Sequence, residues 1–293
     1  MYQTYFKFKA KPFRLNPDHR FFYSSKTHKR AMSYLRYGIE QGEGFIIITG
    51  DVGTGKTTLV NRLLKSINPN NIVTAHIVNS QLQPADLLRM ASAEFGLEYK
   101  NLDKASLLQN LHDFFRASFE NNKRVLLVVD EAQNLTAKSL EELRMLSNLH
   151  LNGRQLVQSF LLGQKEFRNT LRSTGYEQLR QRIIATYHLR PLDGEETREY
   201  ILHRLNLVGW KNDPGFDPSV FGRIYQCTKG LPRKINLLCD RLLLHACIEE
   251  LHQIDDNTLG EVLADIEGEY WGEGMIENEI EQDIEHVQDN TGT

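Results

Sequence analysis

The chain has 293 residues, a length that suits one main domain with a smaller appended one. Its 40% hydrophobic and 25% charged residues, with a formal net charge of −3, exclude a wholly disordered or fibrous protein. No run approaches the roughly 18 uninterrupted apolar residues of a membrane-spanning helix, and the first residues lack the apolar core of a signal peptide, so we expect a cytoplasmic protein.

Short apolar runs alternate with segments of helical periodicity through the first two thirds of the chain. Apolar stripes at helical spacing occur at 59–67, 107–115 and 140–146. Parallel strands joined by such helices form a sheet that is covered on both faces, so we predict an α/β fold. The predicted strands are 45–49, 72–78, 125–129, 158–162 and 184–189.

A glycine-rich loop follows the first predicted strand and precedes an amphipathic helix. It matches the G-x-x-x-x-G-K-[ST] pattern, in which backbone N–H groups and the helix N-terminus face phosphate oxygens. We expect Lys56 to reach the β- and γ-phosphates and the Thr57 hydroxyl to take one Mg²⁺ position. The predicted ATP-binding residues are Gly50, Asp51, Val52, Gly53, Thr54, Gly55, Lys56, Thr57 and Thr58.

A second motif ends the central predicted strand at 125–129 with two carboxylates. Ligands of open α/β sheets bind at the carboxyl ends of the strands, which is where Asp130 and Glu131 stand. We expect Asp130 to hold Mg²⁺ through water and Glu131 to orient and polarise the attacking water. Either carboxylate alone could be a capped strand end, but together with the glycine-rich loop they favour ATP hydrolysis.

From Asp193 onward the pattern becomes helical. Asp193 and Glu196 predict a capping box, and two further helices are predicted at 217–230 and from Pro232 to near residue 251. These signals predict a small all-helical domain. The three cysteines fall in this part without metal-ligand spacing, and we expect buried thiols at Cys227, Cys239 and Cys247.

Charge is distributed unevenly along the chain. None of the 35 Lys and Arg residues follows Arg241, whereas fifteen of the 38 Asp and Glu residues do, which leaves an excess of twelve positive charges before that point. Such a core could attract a polyanion, with the acidic end as a competitor. A solvated basic face with a solubilising tail explains the same pattern. We predict that residues 268–293 form an acidic flexible tail.

These motifs together resemble the AAA+ ATPases of the general secretion pathway protein A type. The resemblance covers about residues 1–265. Within the group, the chain is similar to the ATPases found beside exosortase (PEP-CTERM) and exopolysaccharide biosynthesis genes. The resemblance is carried by the glycine-rich loop, Lys-Pro-Phe-Arg-Leu-Asn-Pro from Lys11, Val-Asp-Glu-Ala-Gln-Asn-Leu from Val129, Leu-Leu-Gly-Gln from Leu161, Gln-Arg-Ile from Gln181 and Gly-Leu-Pro-Arg-Lys-Ile-Asn from Gly230.

The resemblance implies an AAA+ fold, with a five-stranded parallel sheet and a helical lid. It places an α/β nucleotide-binding domain at 1–192, whose residues 1–40 form a segment on the adenine side, and the lid at 193–267. Residues 12–23 would pack on the adenine, although core packing suits Phe21 and Phe22 equally. The implied ligands are ATP and Mg²⁺, and the histidine spacing suggests no further metal site.

The same resemblance implies roles for five polar side chains. Arg233 resembles the lid arginine that senses the γ-phosphate, or is a cation at a helix start. Arg182, with Arg180 as its rival, resembles the finger presented to a neighbouring subunit's nucleotide, or is structural. Gln164 stands where Asn, Thr or Ser more often contacts the γ-phosphate and water. Asn79 would restrain Glu131, or is a turn residue.

Three functional hypotheses follow. The leading one is an ATPase that self-assembles into a ring or filament and serves a protein complex of polysaccharide export or protein sorting at the inner membrane, reaching the membrane through a partner. The second is an ATP-switched DNA-binding regulator similar to transposition ATPases, favoured by the basic core and opposed by the acidic tail. The third is a binding module that uses ATP only as a structural ligand, which the presence of Glu131 opposes.

Overall fold

The computed structural model describes residues 1–16, 18–78 and 82–270. Its residues form two compact units. The sheet unit comprises Asn16–Leu192 and Leu231–Arg233, and the helical unit comprises Met1–Leu15, Asp193–Gly230 and the described residues from Lys234 to Tyr270.

The sheet unit is organised by five parallel strands, which confirms the predicted fold class. Each predicted strand is present within one or two residues of its predicted bounds. In spatial order the strands are β2 (Ile72–Ile77), β3 (Arg124–Val129), β6 (Val157–Gly163), β1 (Phe45–Gly50) and β7 (Ile183–Leu189). Two short antiparallel strands, β4 (His150–Leu151) and β5 (Arg154–Gln155), precede β6.

Helices connect the strands and make up most of the helical unit. Two 3₁₀ turns span His19–Phe21 and Ala132–Asn134. The α-helices in chain order are α1 (Tyr2–Tyr5), α2 (Lys26–Gln41), α3 (Lys56–Ser66), α4 (Pro84–Glu94), α5 (Lys104–Glu120), α6 (Ala137–Leu146), α7 (Lys165–Arg172), α8 (Glu177–Arg180), α9 (Gly194–Leu207), α10 (Pro218–Thr228), α11 (Pro232–Ile248) and α12 (Asp256–Tyr270).

Both faces of the sheet are buried, which is why its central strands read as continuous apolar runs. On one face the strand residues Phe45 and Leu127 pack in a core that includes the α5 stripe at 107–115. On the other face Ile46 and Phe160 share a core with residues of α2 and α3. Helix α2 approaches the sheet closely at Gly38, where an added Cβ would lie 2.5 Å from the Ile46 side chain.

Among the described residues, the helical unit contains two helices that the sequence did not predict, the short α1 and α12. Helices α9, α10 and α11 occupy the three predicted segments, and Asp193 and Glu196 form the predicted capping box. The additional helix α12 begins after Asp255, whose side chain accepts hydrogen bonds from Thr258. It extends to Tyr270, past the predicted start of the tail, and residues 271–293 lie outside the described residues.

Two further expectations need correction. The sequence assigned residues 1–40 to the nucleotide-binding domain, but Met1–Leu15 pack within the helical unit. The buried Arg204 guanidinium donates to the Pro12 carbonyl at 2.6 Å and lies over the buried Phe13 ring. Of the cysteines expected to be buried, Cys239 and Cys247 are buried and Cys227 is exposed.

Two short strands, β8 (Gly215–Phe216) and β9 (Gln253–Ile254), pair in parallel within the helical unit. Within the described ranges, no helix combines the length and the apolar character needed to cross a lipid bilayer.

Candidate nucleotide site

The parallel sheet brings the sequence motifs to one edge. Strand β6 pairs with β1 on one side, where Thr49 is opposite Gly163, and with β3 on the other, where Val129 is opposite Leu161. The glycine-rich loop, the two carboxylates and Gln164 each follow one of these three neighbouring strands. The fold therefore places all three groups at the carboxyl ends of adjacent strands, the usual ligand site of an open α/β sheet.

The glycine-rich loop, residues 50–55, is hereafter the P-loop. Gly53 and Gly55 have positive φ angles of 83° and 95°, a backbone region that glycine adopts without steric strain. Helix α3 begins directly after Gly55, at Lys56. Because the first N–H groups of a helix have no partner within it, the loop and the start of α3 can present several donors to an anion.

The Lys56 ammonium lies inside this loop. Its Nζ donates to the Gly50 carbonyl at 2.7 Å and to the Asp51 carbonyl at 3.0 Å. Burial lowers the pKa of Lys56, and the neighbouring carboxylates Glu131 and Asp130 oppose that shift. The carboxylates thus favour a charged ammonium at the point where a phosphate would enter the loop.

Thr57 and Asp130, the two groups expected at Mg²⁺, contact each other. The Thr57 hydroxyl donates to Asp130 Oδ2 at 2.5 Å, and Asp130 is buried at 1% exposure. A hydroxyl and a carboxylate are oxygen ligands of the kind that Mg²⁺ prefers, so the two residues fit that ion. Among the described residues no group of three or more His, Cys, Asp or Glu side chains is placed to hold a metal.

Glu131 is held by two amide side chains. Its Oε2 accepts from Gln133 Nε2 at 2.5 Å and from Gln164 Nε2 at 3.3 Å. Gln133 Oε1 in turn accepts from the Gln164 backbone N–H at 3.0 Å. Glu131 has a left-handed backbone, with φ at 52°. Sequence reasoning missed Gln133, and the available signal was its place two residues after Glu131 in the strand-end motif.

Arg233 lies against the P-loop through its backbone. Its N–H donates to the Gly53 carbonyl at 3.3 Å, and a Cβ added to Gly53 would lie 2.6 Å from the Arg233 Cβ. The sequence placed Arg233 near the γ-phosphate. The structure brings its main chain to the loop that would hold that phosphate.

Arg182 lies at the opposite edge of the sheet. Its carbonyl accepts from the N–H of Phe45, the first residue of β1, and its guanidinium donates to the Ser147 carbonyl at 3.2 Å. The rival Arg180 donates to two carbonyls of the 171–173 segment and pairs with Glu177. The structure does not bring Arg182 to the P-loop of its own chain.

The segment expected at the adenine is divided between the two units. Phe13 is buried in the helical unit, whereas Phe21 and Phe22 belong to the sheet unit. The Phe22 ring meets His28 edge-on, with centroids 5.3 Å apart. Asn79, expected to restrain Glu131, lies outside the described residues.

Comparison with known proteins finds similarity over the stretch of the chain that contains these motifs. Residues 39–171 match the family model described as an AAA domain. The chain is 39% identical over 258 residues to general secretion pathway protein A of Aeromonas hydrophila, and the match covers 87% of this chain and 46% of that protein. The chain thus spans less than half the length of this curated relative.

Solved structures show the same fold. The ORC2 protein of Aeropyrum pernix, in ADPNP and ADP complexes, has a TM-score of 0.66 at 15% identity, covering 87% of this chain and 71% of its own. The RuvB Holliday junction branch migration motor of Thermotoga maritima has a TM-score of 0.54 at 18% identity, covering 82% and 68%. Residues 39–171 thus match the AAA domain model, and the chain has the P-loop AAA fold that these solved structures share.

Proposed function

We propose that this chain binds Mg·ATP at residues 50–58 and hydrolyses it to ADP and phosphate. One observation carries the proposal. The Lys56 ammonium, the hydrogen-bonded Thr57–Asp130 pair and the Glu131 carboxylate are brought to one edge of the sheet by β1 and β3, the two strands that flank β6. The AAA family match supports nucleotide binding, and the carboxylate after Asp130 favours hydrolysis.

Each residue has a distinct proposed role. The P-loop amides and Lys56 bind the phosphates, with the ammonium moving from the loop carbonyls to the β- and γ-phosphate oxygens. Thr57 and Asp130 would hold Mg²⁺, which would neutralise phosphate charge. Glu131 orients the attacking water and accepts its proton as the water oxygen bonds to the γ-phosphorus, while the bond from that phosphorus to the bridging oxygen breaks and ADP leaves.

Three further roles are supported only by resemblance and placement. Gln164 would contact the γ-phosphate or the water from its position beside Glu131. Arg233 would sense the nucleotide from its position against Gly53. Arg182 would act on the nucleotide of a neighbouring copy, since it lies away from its own P-loop. That last role requires a homo-oligomer, in the form of a ring or filament.

The cellular role is proposed from relatedness. The 39% identity to a general secretion pathway protein supports a cytoplasmic ATPase that acts on a protein complex at the inner membrane and reaches the membrane through that partner. The resemblance to ATPases of exosortase and exopolysaccharide loci narrows the proposal to polysaccharide export or protein sorting.

The direct test is phosphate release from Mg·ATP by the wild type and by Glu131→Gln. We expect the variant to bind ATP but to lose turnover by about a hundredfold or more, because the water is no longer polarised. Glu141→Gln, an exposed carboxylate paired with Arg144 on α6, is the matched control and should keep full activity. Light scattering in the same samples should show larger particles when ATP persists. ATP binding without phosphate release by the wild type, at any protein concentration, would contradict hydrolysis by this chain alone and support ATP as a structural ligand.

A DNA-binding role is the second candidate. It is favoured by the excess of positive charge before Arg241 and by fold likeness to a protein named as a Holliday junction motor. Retention on immobilised DNA that weakens with salt and disappears without ATP would support it. Equal retention on DNA with and without ATP would contradict an ATP-switched DNA-binding role.

A further inference from the structure

His28 is a buried histidine to which the proposed mechanism gives no role. It lies in the first turn of α2 and is 5% exposed. Both of its ring nitrogens have partners in the sheet unit. Sequence reasoning treated it as an isolated histidine because its partners are defined only by the fold.

One side of the ring is fixed by Ser25. The Ser25 hydroxyl caps α2 by accepting from the His28 N–H at 3.2 Å, and it lies 2.6 Å from His28 Nδ1. A second hydroxyl, that of Thr27, lies 3.0 Å from Ser25 Oγ and donates to the Arg190 carbonyl at the end of β7. The Ser25 hydroxyl therefore orients the ring.

The other side of the ring contacts the P-loop. His28 Nε2 lies 3.1 Å from the position that a Cβ on Gly55 would occupy, and the ring hydrogen-bonds with the Thr54 backbone. That bond favours the protonated ring, which identifies the acceptor as the Thr54 carbonyl. Nε2 then carries the hydrogen, and Nδ1 accepts from the Ser25 hydroxyl.

The surroundings keep this ring neutral. Burial lowers the pKa of His28 to about 4. The ring also lines a cavity of about 390 Å³ whose lining residues among those described include no carboxylate and three cations, Lys29, Arg36 and Arg62. A neutral imidazole with one donor and one acceptor, both in use, forms a fixed link between α2 and the loop.

The P-loop needs such a link because two of its residues are glycines with positive φ. Glycine has the largest backbone freedom of all residues, so a loop containing Gly53 and Gly55 must be restrained before its amides can converge on phosphate. Within the loop the Thr54 hydroxyl donates to the Asp51 carbonyl at 2.8 Å, which restrains one turn. His28 restrains the next turn from outside.

We propose that His28 is a positioning residue for the P-loop: oriented by Ser25, its imidazole holds the Thr54–Gly55 turn in the conformation that presents the loop amides to nucleotide phosphates. The effect on nucleotide rests on the proposed function, whereas the effect on the loop itself does not. The ring touches no reacting atom, so we expect it to act on affinity more than on the rate at saturation.

The test compares His28→Phe, which keeps an aromatic ring against Phe22 but removes both hydrogen bonds, with His28→Gln, whose amide can again donate to Thr54. His150→Phe, at an exposed histidine of β4, is the control. In the absence of nucleotide, the amides of residues 53–57 should exchange hydrogen about tenfold faster in His28→Phe, the factor expected for one lost hydrogen bond, while those of β3 stay unchanged. His28→Gln should restore part of the protection.

The affinity for a fluorescent ATP analogue should change among the variants in the same order as the hydrogen exchange, weakening about tenfold in His28→Phe. The rate of phosphate release at saturating ATP should change much less. Unchanged exchange of residues 53–57 in a folded His28→Phe variant overturns the proposal. If the wild type itself fails to bind the analogue, the proposed ATPase function is wrong, and the exchange experiment still decides the role of His28.

A measurement on the wild type covers the case in which His28→Phe does not fold. The imidazole ¹⁵N shifts at pH 7 should identify His28 as the neutral tautomer with hydrogen on Nε2. A neutral ring with its hydrogen on Nδ1 would leave Nε2 without a hydrogen to donate to the Thr54 carbonyl, and would also overturn the proposal.

Discussion

The Gln133 amide joins two groups at the candidate site. Its nitrogen donates to Glu131 Oε2, and its oxygen accepts from the backbone of Gln164, at the end of the neighbouring strand. Both halves of the amide are therefore used at once. Because Glu131 stands on a left-handed backbone residue, its side chain depends on such contacts for its direction.

Replacing Gln133 by Leu should lower the catalytic rate with little change in the KM for ATP. The amide orients Glu131 and has no contact with the P-loop in the described structure, so the loss belongs to the chemical step. Groups that orient a catalytic side chain typically contribute about ten- to a hundredfold. Steady-state phosphate release gives both constants. Gln109→Leu, which removes an exposed amide from α5, is the control. A raised KM at unchanged rate would place Gln133 in nucleotide binding instead.

Sequence alone could supply the chemical groups of the site but not their supporting contacts. The P-loop and the carboxylates are local patterns, in which spacing along the chain determines geometry. Gln133 and His28 act across the fold, and their partners depend on which strands become neighbours. The positions of Arg182 and Arg233 could be predicted only through resemblance, and their proposed roles stay predictions.

Among the elements, the central strands β1, β3 and β6 were the most readily predicted because both faces of the sheet are covered there, whereas the outer strands β2 and β7 are only partly buried. A strand buried on two sides needs apolar residues at every position, which makes it visible as a run. Helix α12 was missed because its segment lacks such a run of apolar residues. Most of its segment was predicted to belong to the lid without a helix of its own, because it contains several carboxylates and no Lys or Arg, although its Leu259 and Val262 are buried. A few buried positions support this helix without giving it a strong pattern.

The capping box of α9 predicts how substitutions at Asp193 change the stability of the protein. Asp193→Ala removes the acceptor of the Glu196 N–H and should destabilise the protein by about 1 kcal/mol. Asp193→Asn keeps an oxygen at the same position and should restore most of that loss. Urea denaturation monitored by circular dichroism measures both. Equal stability of the Ala and Asn variants would show that the cap contributes little.

For the whole molecule, His28 links stability to pH. Its pKa in the folded protein is about 4, below the ordinary value of 6.5, so between these values the unfolded chain binds more protons than the folded one. The stability that comes from a neutral His28 is fully present above about pH 6.5 and decreases as the pH falls toward 4. Between pH 7 and 5 the loss from this group should be about 2 kcal/mol.

Urea midpoints at pH 7 and pH 5 test this expectation. The decrease should be smaller in His28→Phe than in the wild type, because the variant has no ring to protonate. The His76 and His188 pKa values are also lowered by burial, and they contribute equally to both proteins. An identical decrease in the two proteins would show that His28 does not titrate differently on unfolding.

The contact between Arg204 and the Pro12 carbonyl also affects biosynthesis. The two residues are 192 positions apart, so the Phe13 side chain, over whose ring Arg204 lies, leaves the ribosome long before α9 is made. At about 5–20 residues per second the delay is roughly 10–40 seconds. During that interval the nascent chain presents an apolar N-terminal segment to chaperones, even though the complete protein buries it.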